Sequence, residues 1–492
     1  MRSVRLPRLA AAAALVAAAA ALGGAGPDAA ASPLGDPVLD RAVFLGATSG
    51  QPAALRINPA AMTLGPEGTH VFVLGTGALD TLRVDRRTVD PDTGALVGGP
   101  SVSTTIFDPM TSLGGAIGIY RVGQKFAAGV QCALPGGDVF PAEEGDLAYH
   151  SLGGSHRELA LCALGGSYRP SRAIAIGASY QLVQTRLHLR FARDTALEAG
   201  RDPDRGITSD CAGAPCGFEN PAATETYTID ATTATLPSFE SSEFIVGGIV
   251  RVADGWWLGV AYQLPLGLFL DPVQLTGTVD VTRAPRDGGD TISGEVTVKF
   301  LYPDRLRAGI RGRVTDNLEV VGEARWENLS RMSGYDLRMY GLELTDAGVP
   351  EWYVRPRGLH DRFVVQAGVE QVDLGQRVTL GGRLGVQRGV TSDERVSPLT
   401  AYPLEVTFDA GAQLRLGHAW VLQAGYGLGL APSVDTGRGA YDPLDRLACI
   451  DSGYDFDTDA CAAVRAGYAL PTASGVYART SHAFWMGVRY DL

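Results

Sequence analysis

Leu404-Glu-Val-Thr-Phe-Asp-Ala-Gly-Ala-Gln-Leu-Arg-Leu416, then Gly417-His418, then Ala419-Trp-Val-Leu-Gln-Ala-Gly-Tyr-Gly-Leu-Gly-Leu430, alternates with hardly a break. In the first run Leu404, Val406, Phe408, Ala410, Ala412, Leu414 and Leu416 share one face, and Glu405, Thr407, Asp409, Gln413 and Arg415 share the other. In the second, Trp420, Leu422, Ala424, Tyr426, Leu428 and Leu430 alternate with Val421, Gln423 and three glycines. A period of two with one wholly apolar face specifies a β-strand, because successive side chains leave opposite sides of the pleat. In a soluble sandwich the apolar face is the core. In an outer-membrane barrel it meets lipid, and the polar face lines the lumen.

The spacing of such runs separates the two. Strands are expected near 69–84, 102–121, 125–134, 157–169, 173–191, 241–252, 256–266, 292–314, 318–330, 361–373, 377–389, 404–417, 419–431 and 475–491. This is about fourteen, an even number as single-chain bacterial barrels require. The links at 121–125, 169–173, 252–256, 314–318, 373–377 and 417–419 are tiny, whereas those at 193–240, 330–360 and 431–474 are long. Strict alternation of short and long links is the pattern of periplasmic turns against extracellular loops. The expected fold class is therefore all-β, a transmembrane antiparallel barrel over 69–492. The run 173–191 changes apolar parity near Val183, which predicts a β-bulge. Pro303 inside 292–314 predicts a kink. Trp257, Tyr262, Tyr302, Trp326, Trp420 and Tyr490 are candidates for aromatic girdles at the membrane surfaces.

Residues 1–31 read as a secretory signal, with Arg2, Arg5 and Arg8 ahead of an Ala-rich apolar core and small residues before Ser32. Residues 32–68 read as a plug. Ser49-Gly-Gln-Pro-Ala-Ala-Leu-Arg-Ile-Asn-Pro-Ala-Ala-Met62 is neither helix- nor strand-periodic, and irregular backbone at membrane depth is tolerated only inside protein. Asn58 can satisfy neighbouring backbone groups, and Pro59 biases it away from helix. Export places the six cysteines in an oxidising compartment. Cys211 and Cys216 lie in one polar loop, and Cys449 and Cys461 bracket another, so each pair is a disulfide candidate. Cys132 and Cys162 sit in apolar runs and are either free or bridged. A net charge of −12 argues against nucleic acid, which demands surplus Lys and Arg. No zinc spacing, P-loop, G-x-S-x-G or H-E-x-x-H occurs, so neither metal, cofactor nor enzymatic activity is expected.

Asn58-Pro59-Ala60 ahead of the first strand, Lys299-Phe-Leu-Tyr-Pro-Asp-Arg-Leu-Arg-Ala-Gly-Ile310, and the strand 318–330 with Trp326 and Ser330 resemble the FadL family of outer-membrane transporters of long-chain fatty acids and other hydrophobic compounds. The resemblance spans about 42–492. It implies a Gram-negative outer-membrane location and an importer whose N-terminal hatch, with Asn58, Pro59 and Ala60, closes the lumen. It also implies a side route into the membrane at a break in the third strand, for which Pro135, Gly136 and Gly137 are candidates. Leu268, Phe269 and Leu270 are candidates for capturing ligand in the outer loops. The implied partners are a hydrophobic small molecule, outer-membrane lipid and the barrel assembly machinery, with the chain acting as a monomer.

Arg305, Arg307, Arg311 and Arg313 share one strand face, and the next strand offers Glu319, Glu323, Arg325 and Glu327. Across a hairpin these form a charge ladder inside the barrel. Such pairs either fill the wall or leave an arginine to grip a ligand carboxylate.

Overall fold

The computed structural model describes residues 41–89, 96–119, 125–135, 153–194, 210–211, 214–215, 221–233, 242–265, 272–332, 334–374, 377–393, 396–397, 400–401, 403–437 and 474–492. The strands in chain order are β1 (Gly68–Val89), β2 (Leu96–Ile119), β3 (Phe126–Pro135), β4 (Gly153–Ser171), β5 (Ile174–Asp194), β6 (Asp210–Cys211), β7 (Ala214–Pro215), β8 (Thr224–Thr232), β9 (Ser242–Ala253), β10 (Trp256–Pro265) and β11 (Val273–Thr282). They continue with β12 (Thr291–Phe300), β13 (Arg305–Thr315), β14 (Leu318–Glu327), β15 (Gly334–Tyr340), β16 (Trp352–Pro356), β17 (Arg362–Leu374), β18 (Val378–Gln387), β19 (Glu405–Leu416), β20 (Trp420–Leu430), β21 (Val434–Asp435) and β22 (Gly475–Asp491).

Antiparallel pairing runs β1–β2–β3–β4–β5–β9–β10–β13–β14–β17–β18–β19–β20–β22 and returns to β1. These fourteen strands close into a barrel. The closing seam joins His70–Arg86 to Gly475–Asp491 in continuous register. Closure removes the sheet edges, whose unpaired backbone groups lipid could not satisfy. The outward face is apolar: Val130, Ile176, Val260, Val365, Leu384 and Phe408 are all exposed large hydrophobics. The expected tiny turns are present after β4, β9, β13, β17 and β19. Trp420 and Tyr490 pack together at the short-turn end, with ring centroids 4.6 Å apart. Trp257 instead points inward, and Tyr302 is buried in the outer core described below.

A second sheet grows from the wall. The lower half of β5 pairs β9, Ile174–Leu182 against Ser242–Val250, whereas its upper half, Arg186–Asp194, pairs β8. From β8 the pairing continues through β11, β12, β15 and β16. The sheet rolls until its ends meet: Phe191 on β5 stacks on Tyr227 of β8 at 4.9 Å and on Tyr353 of β16 at 5.3 Å. Its interior is one apolar core that includes Leu187, Ile229, Leu275, Val298, Leu337 and Met332.

This outer sheet corrects two expectations. The run 292–314 is two strands, β12 in the outer sheet and β13 in the wall, with Pro303 in the break between them. A proline contributes no donor to a ladder, so the chain leaves one sheet there and joins another. The parity change near Val183 is not a bulge in β5. The same odd-numbered face stays buried throughout, from Ala175, Ser179 and Gln181 to Leu187, Leu189 and Phe191. What changes is the surroundings: lower down that face meets the lumen and the opposite face meets lipid, and higher up it meets a packed core. The register shift lies across the pair, in β4 between Glu158 and Ala160.

Candidate functional site

The site is the barrel interior and the chain segment it encloses. Residues 41–67 precede β1 and form two short 3-10 turns, Pro52–Arg56 and Pro59–Leu64. Asn58 caps the second: its backbone is extended, and its side-chain oxygen accepts from the Ala60 N–H at 3.2 Å. Its amide donates to the Ala47 carbonyl at 2.7 Å and to Gly248 of β9 at 3.4 Å. Asn58 is fully buried, as are Ala60 and Ala61. A fully buried amide must find partners for both ends, and this one ties two parts of the segment to each other and to the wall.

The wall receives the segment through glycines on its inward face. A Cβ at Gly177 would lie 2.5 Å from the Ala60 nitrogen, one at Gly259 would lie 2.5 Å from the Ala47 oxygen, and one at Gly381 would lie 2.5 Å from Val43 Cγ1. Gly247 faces the Asn58 amide, and Gly411 faces the Phe44 ring. Only a residue without a side chain admits such close approach. Polar ties complete the seating. Ser179 donates to the Leu55 carbonyl at 2.9 Å, the Ala47 N–H donates to Glu323 at 3.2 Å, Arg41 donates to Asp409 at 2.9 Å, and Arg489 donates to Gln51 at 2.9 Å. The segment therefore touches β5, β9, β10, β14, β18, β19 and β22, on both sides of the lumen.

The charge ladder forms in the expected register, with Arg305 opposite Glu327, Arg307 opposite Arg325 and Arg313 opposite Glu319. The enclosed segment divides it. It meets β13 at Gly309, where a Cβ would lie 3.1 Å from Ala47 Cβ. Arg305 and Arg307 lie on the long-loop side and are buried. Glu327 there is approached by Arg305 at 3.9 Å, Arg325 at 3.1 Å and Arg362 at 3.4 Å. Arg311 and Arg313 lie on the short-turn side. Arg311 pairs with Glu319 at 2.9 Å and with Glu370 at 2.8 Å, and Glu370 also meets Arg383 at 3.5 Å. Glu370, Arg362, Arg383, Arg41 and Asp409 complete these networks from strands distant in sequence. Their polar-face positions were readable, but their partners were not.

Near the expected strand break, β3 ends at Pro135, still paired to Met110 of β2. Its pairing to β4 stops earlier, at Ala133 with Leu161. Among the described residues Leu134 and Pro135 have no partner in β4, while β4 itself stays paired to β5 from Gly153 onward. Just below this gap Cys132 and Cys162 form a disulfide, directly opposed across the strand pair. The other disulfide candidates fall largely outside the described residues: Cys216, Cys449 and Cys461 lie beyond them, and Cys211 is described only in the two-residue strand β6. Gly136, Gly137, Leu268, Phe269 and Leu270 also lie outside them, as does the expected signal segment.

Comparison with solved structures matches this arrangement over almost the whole chain. A Pseudomonas aeruginosa FadL homologue superposes with a TM-score of 0.69 at 13% identity, covering 94% of this chain and 99% of the other. The chain has the FadL fold. The Pseudomonas putida toluene transporter TodX gives a TM-score of 0.57 at 15% identity over 94% of this chain and 98% of its own. The Ralstonia pickettii toluene transporter TbuX gives 0.54 at 18% identity over 93% and 98%. No family model matches the sequence, and no curated protein matches it. The likeness to these FadL-type channels is thus one of architecture, carried at low identity.

Proposed function

We propose that the protein is an outer-membrane channel of a Gram-negative bacterium for passive uptake of hydrophobic small molecules, long-chain fatty acids or aromatic hydrocarbons, and not an enzyme. The observation that carries this is the seated N-terminal segment inside a closed, lipid-facing barrel. A plugged lumen suits a ligand that leaves water for an apolar surface better than one that travels dissolved. The similar solved structures include toluene transporters.

In this reading residues 32–68 are the hatch, held in place through Asn58, Pro59 and Ala60. The break at Pro135, Gly136 and Gly137, where β3 parts from β4, is in this reading the lateral exit into the membrane. Arg305 and Arg307, on the long-loop side of the hatch, are the arginines that meet an incoming carboxylate. The chain works as a monomer after export, insertion by the barrel assembly machinery and packing in outer-membrane lipid. Uptake of labelled oleate and of toluene by cells carrying only this channel tests the reading, paired with planar-bilayer conductance. Uptake with low ion current is expected, and deletion of residues 32–62 should raise the current. A high current in the intact protein would instead make it a general porin. Normal uptake in an Arg305→Gln, Arg307→Gln variant would remove the carboxylate role.

A further inference from the structure

On the short-turn side of the hatch, the end that faces the periplasm in barrels of this type, lies an open cup of about 560 Å³. Six arginines line it: Arg169, Arg311, Arg313, Arg377, Arg415 and Arg489. Among the described residues two carboxylates do so, Glu319 and Glu370. Both carboxylates are already engaged, Glu319 by Arg311 and Arg313, and Glu370 by Arg311 and Arg383. Arg489 is shared between Asp491 and Gln51. Arg169 donates to the carbonyls of Thr63 and Arg172 and lies 5.2 Å from the Trp257 ring centroid.

Arg377 and Arg415 differ from the others. Like Arg313 they are exposed, and the Arg415 N–H donates to the Arg377 carbonyl at 2.8 Å, which places the two side by side; unlike Arg313 they have no carboxylate beside them among the described residues. Neither makes an ion pair among the described residues. An excess of cations around a concavity is notable in a chain of net charge −12, because like charges so placed repel unless an anion joins them. The cup is mostly polar, and its accessible apolar lining is the half-buried Leu64 and Trp257.

We infer that this cup is a second ligand site, separated by the hatch from Arg305 and Arg307, and that it receives the carboxylate head of an amphiphile whose tail lies on the apolar lining. The inference deepens the uptake reading and rests on it for the source of the ligand. Arg377 and Arg415 supply the attraction, and Arg489 beside them stands on both the wall and the hatch through Gln51. A head group bound there would lie against the hatch residues Thr48–Gln51.

The test is calorimetric titration of the full chain in non-ionic detergent with hexanoate, hexan-1-ol and inorganic phosphate. Hexanoate should bind in a salt-dependent way. The variant Arg377→Gln, Arg415→Gln should weaken it by about tenfold or more, the scale of one lost charge-assisted contact, whereas Arg305→Gln should leave this binding event in place. Both exchanged residues sit exposed at strand ends, so unchanged heat-modifiable migration on gels should accompany the loss. Equal binding by the double variant overturns the site. Phosphate binding as tightly as hexanoate, or hexan-1-ol binding as well as hexanoate, overturns the amphiphile assignment. The uptake reading fails separately, by high conductance or absent toluene uptake in the unaltered protein.

Discussion

Asn58→Ala removes the amide that ties together the enclosed segment 41–67, the proposed hatch. The variant loses the N-cap bond to Ala60 and leaves the Ala47 carbonyl without its 2.7 Å donor inside a buried site. Loss of a cap and one orphaned buried carbonyl together cost about 2–4 kcal/mol. The contact to Gly248 is long at 3.4 Å and adds little. The cost falls on the seated hatch and not on the wall, whose ladders do not involve Asn58. The population of unseated hatch should therefore rise by roughly 30- to 700-fold, at tenfold per ~1.4 kcal/mol. Ala54 lies in the hatch and is 1% exposed, so an Ala54→Cys reporter reads this directly. Its labelling by a polar maleimide, followed on the peptide that carries residue 54, should accelerate by that factor in Asn58→Ala. Asn58→Asp keeps the cap acceptor but cannot donate to Ala47, and should accelerate labelling at least as much. A folded barrel in which neither change alters the rate would refute the claim that this amide secures the hatch.

Gly177→Ala places a Cβ 2.5 Å from the Ala60 nitrogen and should unseat the hatch at a cost of about 1–3 kcal/mol. Gly382→Ala, whose Cβ would meet only the Asp409 oxygen at 3.7 Å, should label like the parent. Glu327→Gln leaves Arg305, Arg325 and Arg362 grouped without their shared carboxylate. It should lower the gel-shift melting point of the barrel by an amount equivalent to about 3–5 kcal/mol. In the outer sheet, the Arg186 guanidinium hydrogen-bonded to Asp230 holds that carboxyl below the usual carboxylate range. A folded-state value below the unfolded one stabilises above the unfolded value and loses that contribution as pH falls through the folded one. Limited proteolysis of the outer sheet should therefore rise on acidification in the parent, and less steeply in Asp230→Asn.

The wall was legible because lipid outside and a polar lumen inside impose one alternation on every strand. That is why Leu404–Leu430 reads as two strands without knowledge of any neighbour, and why fourteen wall strands are countable in the sequence even though nothing there separates β12 from β13. The outer sheet was not legible for the same reason. Its strands β8, β11, β15 and β16 obey no lipid boundary, and their apolar residues face a local core. The switch in β5 consequently looked like a defect in one strand when it marks the place where that strand passes from one solvent to another. In the site, Asn58 stood out by residue type beside a proline, and the arginine ladder by spacing. The glycines that admit the hatch could not be told from the many others, because their meaning lies in what approaches them. The cup was invisible because Arg377, Arg415 and Arg489 converge only when the ring is closed.

The wall neighbours β10 and β13 are not consecutive: the chain leaves at Pro265, builds β11 and β12, and returns at Arg305. Until that excursion folds, the two edges are joined only by a slack connector, and bringing them together carries the entropy of closing a long loop. Pairing of β11 with β12 shortens that connector and brings Pro265 and Arg305 closer together. The wall pairs β5–β9 and β14–β17 are interrupted in the same way, by β8 and by β15 and β16, so each excursion into the outer sheet adds a closure of this kind.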